Sequence, residues 1–157
     1  MTPEERDLLR RLLTGQRLIA LAVIVEGSPA AGLLPFVPAP DGEGLLVHVS
    51  ALARHARGLT AGAPYSGVIH LPDRPDQDPL QVPRVTLEGR AVPLVRHSPA
   101  YEAGRAAYLA RLPGAAMTFS LSDFQLIVLG LERGRLVAGF ARARTVSAEA
   151  LRAVLQP

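Results

Sequence analysis

The sequence predicts a mainly β fold: six or seven antiparallel strands closing into a barrel, with helices packed on its outside. Three observations carry this prediction. Apolar or alternating segments of strand length recur along the chain, most are joined by short turn-rich connections, and helical patterns interrupt them singly. Because helices do not alternate regularly with strands, a doubly wound parallel sheet is not favoured. With 157 residues, the chain forms one predicted domain large enough to bury a core.

The N-terminal part predicts a helix over residues 2–14, followed by a strand. Thr2-Pro3-Glu4-Glu5 has the pattern of a capping box with proline in the first turn. Four leucines behind it form one apolar stripe. Residues 17–25 are almost wholly apolar, which predicts a strand covered on both faces.

The predicted barrel extends over residues 17–144. Its further strands are predicted at 32–37, 45–49, 65–71, 85–91, 124–131 and 136–143, the last two joined by a turn at Glu132-Arg133-Gly134. A helix around residues 51–61 is expected, and Ser98-Pro99 begins another that carries Tyr101, Tyr108 and Leu112 on one side. Ser147 caps a final helix over 147–155. The proline- and aspartate-rich segment 72–79 is predicted to be an exposed loop.

The segment from Leu45 to Leu59 contains the clearest candidate binding site. An apolar strand stops at Ser50, a good N-cap, and basic residues follow at once in the next helical pattern. Free amides, a positive dipole and guanidinium groups together favour an anion, most readily a phosphate. The alternative is an amphipathic helix with Leu52, Ala56 and Leu59 inward and its basic residues solvated. The local pattern leaves both interpretations open.

Composition excludes several function classes. The chain lacks cysteine, which excludes disulfides, thiolate zinc sites and a cysteine nucleophile. All 17 basic residues are arginine, so a lysine-dependent phosphate loop and Schiff-base chemistry are also excluded. The formal charge is only +3, the arginines are scattered and aromatic residues are few. Nucleic acid is therefore not a predicted partner.

The first residues and the apolar runs predict the location of the protein. Met1-Thr-Pro-Glu-Glu has no basic leader region, and the longest apolar run, 18–25, is too short to span a bilayer. The sequence therefore predicts a soluble, cytoplasmic protein without a membrane partner.

Four segments, in order, resemble the pyridoxamine 5′-phosphate oxidase-like, FMN-binding split-barrel superfamily and, within it, the haem-utilisation (HugZ-like) branch. They are Ala31-Gly-Leu-Leu-Pro-Phe-Val37, Val49-Ser-Ala-Leu-Ala-Arg-His-Ala-Arg57, Val85-Thr-Leu-Glu-Gly-Arg-Ala91, and Asp123-Phe124 followed by Gly139-Phe-Ala-Arg-Ala143. Together they extend over nearly the whole chain. The resemblance implies a split barrel and a homodimer with cofactor sites between the subunits.

The resemblance also implies the cofactor contacts. In flavin-binding relatives, the end of the third strand and the helix after it hold the FMN phosphate, and the second strand lies along the flavin ring. The implied cofactor-binding residues are Leu34, Phe36, Val49, Ser50, Arg54, His55 and Arg57. Arg142, beside Arg144 on the last strand, either completes an anion site across the dimer or is solvated. No metal site is predicted, and the resemblance identifies no catalytic residue or substrate.

Haem-degrading members of the branch take an axial histidine from a segment beyond the barrel, whereas the last histidine here is His97. The expectation is therefore an absence of haem-oxygenase turnover, with His55 as the substitute ligand if haem binds. Three hypotheses follow: an FMN-dependent oxidoreductase of unknown substrate, a haem-binding or haem-utilisation protein, and a cofactor-free dimeric interaction module.

Overall fold

The computed structural model describes residues 1–139 and 142–156, and its main element is one antiparallel sheet. The sheet order is β3-β2-β1-β4-β5-β6-β7, and a further pairing of β3 with β6 closes the first six strands into a barrel. The strands are β1 (Leu18–Val25), β2 (Ser28–Pro38), β3 (Gly44–Ser50), β4 (Pro64–His70), β5 (Arg84–Pro93), β6 (Phe124–Val137) and β7 (Ala143–Ser147). The predicted fold class is confirmed.

Three α-helices flank this barrel, each with a serine or threonine cap. They are α1 (Pro3–Arg10), α2 (Pro99–Arg111) and α3 (Ala148–Leu155). α1 continues as a π-helical turn over Arg11–Gly15, and the predicted capping box at Thr2 and Glu5 is present. Ser98 and Ser147 accept hydrogen bonds from Tyr101 N and Ala150 N, so both predicted caps are confirmed.

Two apolar clusters hold these elements together. The larger fills the barrel and extends under α1 and α3, with members such as Ile19, Phe36 and Leu129. The smaller lies between α2 and the outer side of β3 and β6, and includes Leu46, Tyr108, Phe119 and Leu126. Three aromatic rings of this second cluster, which we call the aromatic cluster, contact one another and fix α2 against the barrel near the β2–β3 junction; they are Tyr101, Tyr108 and Phe119.

The hairpin predicted at Glu132-Arg133-Gly134 is wrong. β6 runs unbroken through these residues and pairs with β5 as far as Val137. Glu88 lies opposite Arg133 and Gly89 opposite Leu131, so the turn-like sequence is accommodated as a bulge at Glu132. Continued pairing with β5 satisfies the backbone groups that a reversal at this point would have freed. The chain instead turns between Val137 and Ala143.

In the single chain, β1 is buried on one face only, so the predicted cover of its other face would have to come from a partner. Its residues alternate strictly, so Ile19 and Val23 lie in the core whereas Leu18 and Ile24 are 49% and 55% exposed. On the neighbouring strand, Leu33 is 65% exposed. The outer side of the barrel therefore presents an apolar sheet face, which we call the outer β1 face.

Candidate cofactor site

The barrel is split between β2 and β3. These strands pair only from Phe36 to Pro38, opposite Leu45 to Val47, and then diverge. The N–H of Phe36 donates to the carbonyl of Arg17 at 2.9 Å, so the backbone groups of Phe36 face β1. By strand alternation, the N–H and C=O groups of Ala31 and Leu33 face the other way, into the split. Within the described part of the chain, β2 has no partner strand on that side.

Tyr108 of α2 lies at the closed end of the split. Its hydroxyl is 3.5 Å from the carbonyl oxygen of Pro35 on β2, and its ring meets the ring of His48 on β3 edge to face at 5.9 Å. Burial raises the pKa of Tyr108 to about 12, so the hydroxyl stays protonated at neutral pH. One aromatic side chain thus contacts both strands where they separate.

The helix predicted around residues 51–61, with Ser50 as its N-cap, is wrong. Only Arg54–Gly58 is helical, as a short 3₁₀ segment that we call the basic turn. Ser50 belongs to β3; its hydroxyl donates to Asp123 Oδ2 at 2.7 Å and accepts from Leu52 N–H. The predicted helical amides at Ala51 and Ala53 are bonded to backbone carbonyls. Local bonding to Asp123 therefore replaces the helix N-terminus. Leu52, which the alternative interpretation placed inward, is 83% exposed.

Two basic side chains of the predicted anion site remain available. Arg54 and Arg57 are exposed, and neither forms an ion pair with a carboxylate of the described residues. Their unpaired guanidinium groups can bind a phosphate through charge-assisted, bidentate hydrogen bonds. The predicted anion site would thus depend on side chains rather than on helix amides.

The His55 ring packs directly against the backbone of β2 at Gly32. A Cβ atom added to Gly32 of β2 would be 2.7 Å from His55 Nδ1, so the ring occupies the space a side chain would need. Gly58 is similarly tight against Val23 and the carbonyl of Ile24. These two close approaches seat the basic turn on the barrel. His55 Nε2 is buried without a hydrogen-bond partner among the described residues.

The remaining predicted site residues contribute less side-chain surface. Leu34, Phe36 and Val49 point into the barrel core, so only their backbone can meet a cofactor. Arg142 is exposed beside β7, where its N–H donates to the carbonyl of Gly139. The neighbouring Phe140 and Ala141, part of the fourth motif, lie outside the described residues.

His48 belongs to the aromatic cluster rather than to a catalytic group. Its Nδ1 lies 3.1 Å from the Thr118 hydroxyl, and its ring stacks on Phe119 at 3.8 Å. Since that hydroxyl donates to Ala115, His48 Nδ1 is the donor of the pair. Burial, and then the charge of Arg96, lower the pKa of His48 to about 4. His48 is therefore neutral, and it does not form a triad with Ser50 and Asp123, which bond to each other.

Two kinds of feature are absent from residues 1–139 and 142–156. No helix there is long and apolar enough to cross a membrane. No three His, Cys, Asp or Glu side chains there cluster as they would around a metal ion.

Solved structures with this architecture include several haem-binding proteins. A haem-binding protein from Mycobacterium smegmatis superimposes with a TM-score of 0.83 at 29% identity over 98% of this chain and 62% of its own. HutZ, the haem storage protein from Vibrio cholerae, superimposes with a TM-score of 0.68 at 25% identity over 83% of this chain and 89% of its own. An FAD- and haem-binding protein from M. smegmatis superimposes with a TM-score of 0.55 at 20% identity over 94% of this chain and 72% of its own. At this identity the similarity shows a shared fold only. No family model and no curated protein matches the chain.

The chain has the split-barrel fold of the pyridoxamine 5′-phosphate oxidase-like superfamily. The resemblance predicted from the four motifs is confirmed. This split-barrel protein spans about three fifths of the length of the first M. smegmatis relative. The roles of Gly32 and Tyr108 at the split were not predicted from the sequence. A glycine inside an apolar strand is a signal for close backbone approach, but it does not reveal which side chain approaches.

Proposed function

We propose that this split-barrel protein binds FMN in the β2–β3 split and acts as a flavin-dependent oxidoreductase. The observation that carries the proposal is the position of the open β2 edge beside the basic turn. Ala31 and Leu33 direct unpaired N–H and C=O groups into the split, and Arg54 and Arg57 provide unpaired guanidiniums. These groups have no partner among the described residues.

These groups match the two ends of FMN. The pyrimidine edge of the flavin ring alternates donors and acceptors, as an exposed strand edge does, and the phosphate requires cations. The flavin, when bound, supplies the electron- and hydride-transfer chemistry. The chain's own residues orient it: Ala31 and Leu33 through backbone hydrogen bonds, and Arg54 and Arg57 through charge. Tyr108, neutral and wedged between the strands, fixes the width of the split.

A second copy of the chain is the proposed partner. The outer β1 face exposes Leu18, Ile24 and Leu33, a contiguous apolar surface of the kind that marks interaction sites. A twofold pairing of this face would bury it against itself. The proposed assembly is therefore a homodimer.

A flavin titration tests the proposal. Flavin bound to the purified protein absorbs near ~450 nm, and added FMN is expected to bind with quenched fluorescence. A charge-assisted contact contributes about 1.5–3 kcal/mol, so Arg54→Ala should weaken binding by about one to two powers of ten. Arg6→Ala, which removes another exposed arginine on α1, is the matched control. Equal dissociation constants for wild type and Arg54→Ala would contradict the proposed phosphate contact.

Haem binding is the second candidate function, because two similar proteins at 29% and 25% identity are haem-binding and haem storage proteins. A Soret band near ~400 nm in the purified or hemin-loaded protein would support it. A protein that binds neither cofactor would favour the third hypothesis, a dimeric interaction module.

A further inference from the structure

The barrel has a second exposed apolar surface, at the end where β6 begins. There Phe124 of β6 pairs with Ser50 at the end of β3, and β5 ends on the other side of β6. Three loops lie side by side at this end, and we call them the loop end: residues 51–53, 94–97 and 117–123. Because neighbouring strands are about 4.8 Å apart, the first two loops are separated by about 10 Å, with the third between them.

Hydrogen bonds hold these loops in place. The N–H of Ala51 donates to the carbonyl of Asp123 at 2.7 Å, which continues the pairing of β3 with β6. The Arg96 guanidinium donates to the carbonyls of Leu121 and Phe124 at 3.2 and 2.9 Å. Because the loop backbones are fixed to one another, they do not fold over the side chains that they carry.

Four large aliphatic side chains project from the loop end. Leu52, Met117 and Val95 are 83%, 78% and 75% exposed, and Leu121 is also exposed. Soluble monomers rarely present a contiguous apolar surface of this kind unless it meets a partner. None of the four residues belongs to the outer β1 face, so pairing of that face in the proposed homodimer does not account for them.

Arginines surround these side chains. Arg54 follows Leu52 by two residues, and Arg96 follows Val95 directly. Arg105 of α2 places its guanidinium 5.7 Å from the centre of the ring of Phe119, in the third loop. All three arginines are exposed, so their charges face the solvent around the apolar side chains.

The carboxylates of the same segments are already engaged. Residues 50–57, 94–105 and 117–124 contain two, Asp123 and Glu102. Asp123 accepts the hydroxyl hydrogen of Ser50, and Glu102 lies 3.4 Å from His97 and 3.9 Å from Arg105. The loop end is therefore a basic as well as an apolar surface.

This combination fits an anionic lipid surface better than a second copy of the chain. Twofold pairing of the loop end would place its arginines against their own copies, and like charges opposed in an interface are unfavourable. In contrast, aliphatic side chains that project from fixed loops can enter the boundary between lipid head groups and acyl chains. Arginines beside them then reach the lipid phosphates, while their methylene stems cover apolar surface.

We propose that the loop end docks on the surface of an anionic lipid bilayer, with Leu52, Val95 and Met117 inserted between the head groups. The docking is peripheral and requires no membrane-crossing helix. It replaces the expectation of a protein without a membrane partner, and it depends on neither of the two candidate cofactors.

Co-sedimentation with lipid vesicles tests the assignment. Wild type is expected to bind vesicles of phosphatidylcholine that contain about 30% phosphatidylglycerol, and to bind pure phosphatidylcholine at least tenfold more weakly. Sodium chloride at about 0.5 M should weaken binding to the anionic vesicles similarly, because salt screens the arginines. The double variant Leu52→Ser, Val95→Ser should bind them at least tenfold more weakly, since two side chains no longer insert.

Leu80→Ser is the matched control. Leu80 is 66% exposed but lies in the short 3₁₀ segment Pro79–Gln81, before the opposite end of β5, so this variant should bind as wild type does. Leu52 and Val95 are exposed, and an unchanged melting temperature is expected to show that the double variant folds.

Two results with vesicles would overturn the proposal: no binding of wild type to the anionic vesicles, or equal binding by the double variant. Binding to poly-glutamate without binding to vesicles would assign the loop end to an acidic polypeptide instead. A change of oligomeric state in the double variant, measured by light scattering, would make it an interface between copies of the chain. None of these outcomes affects the flavin titration, which tests the proposed function separately.

Discussion

Gly32→Ala offers a quantitative test of how the basic turn is seated. The added Cβ atom would lie 2.7 Å from His55 Nδ1 and 2.9 Å from Cε1, well inside van der Waals contact. The His55 ring would have to move by several tenths of an ångström or more, away from a well-packed position. Overpacking of this kind costs roughly 1–3 kcal/mol. In a domain of this size, that is a fall of about 2–12 °C in the melting temperature.

Thermal unfolding followed by circular dichroism measures the fall in melting temperature. A double-mutant cycle tests whether the contact with His55 causes it. His55→Ala removes the ring, so adding Gly32→Ala to that variant should cost almost nothing further. Gly114→Ala is the control, because a Cβ there would meet no atom within 4 Å. If Gly32→Ala lowers the melting temperature of the His55→Ala variant as much as that of wild type, the clash lies elsewhere and His55 does not hold the turn against β2.

Three further variants test the split, the aromatic cluster and the dimer. Tyr108→Phe removes the hydroxyl near Pro35 and should cost about 1 kcal/mol by chemical denaturation; it should also weaken FMN binding, and equal effects from Tyr101→Phe on the same helix would refute a specific role. His48 is neutral in the folded state, with a pKa of about 4, whereas the unfolded chain takes up its proton near pH 6.5. The free energy of unfolding should therefore fall as the pH drops from 6.5 towards 4, by at most about 1.4 kcal/mol per pH unit; an equally steep profile for His48→Gln would assign the slope to other groups. Ile24→Glu places a charge on the outer β1 face and should convert the proposed dimer to a monomer in light scattering, while Leu52→Glu, on an exposed residue away from that face, should not. A monomeric wild type would contradict the dimer.

The sequence by itself determined the parts of this protein that depend on local chemistry. Capping residues marked the starts of α1, α2 and α3, because a side-chain acceptor for free helix amides acts within three or four residues. Strand-length apolar segments predicted the barrel, and four ordered motifs predicted its superfamily. Arg54 and Arg57, at the end of β3, remain a predicted anion contact, because exposure is the usual state of an arginine and does not by itself identify a ligand.

Tertiary structure alone decided what depends on contacts between distant parts of the chain. Ser50 had the sequence of an N-cap, but Asp123, 73 residues away, accepts its hydroxyl hydrogen. Glu132-Arg133-Gly134 looked like a turn, yet pairing with β5 holds it in a strand. The seat of His55 on Gly32 arises from packing of the basic turn on β2, and the outward position of Leu33 opposite Ala20 arises from the register of β1 and β2. Such register is a property of the packed sheet, where a shift by one residue would turn every side chain to the opposite face.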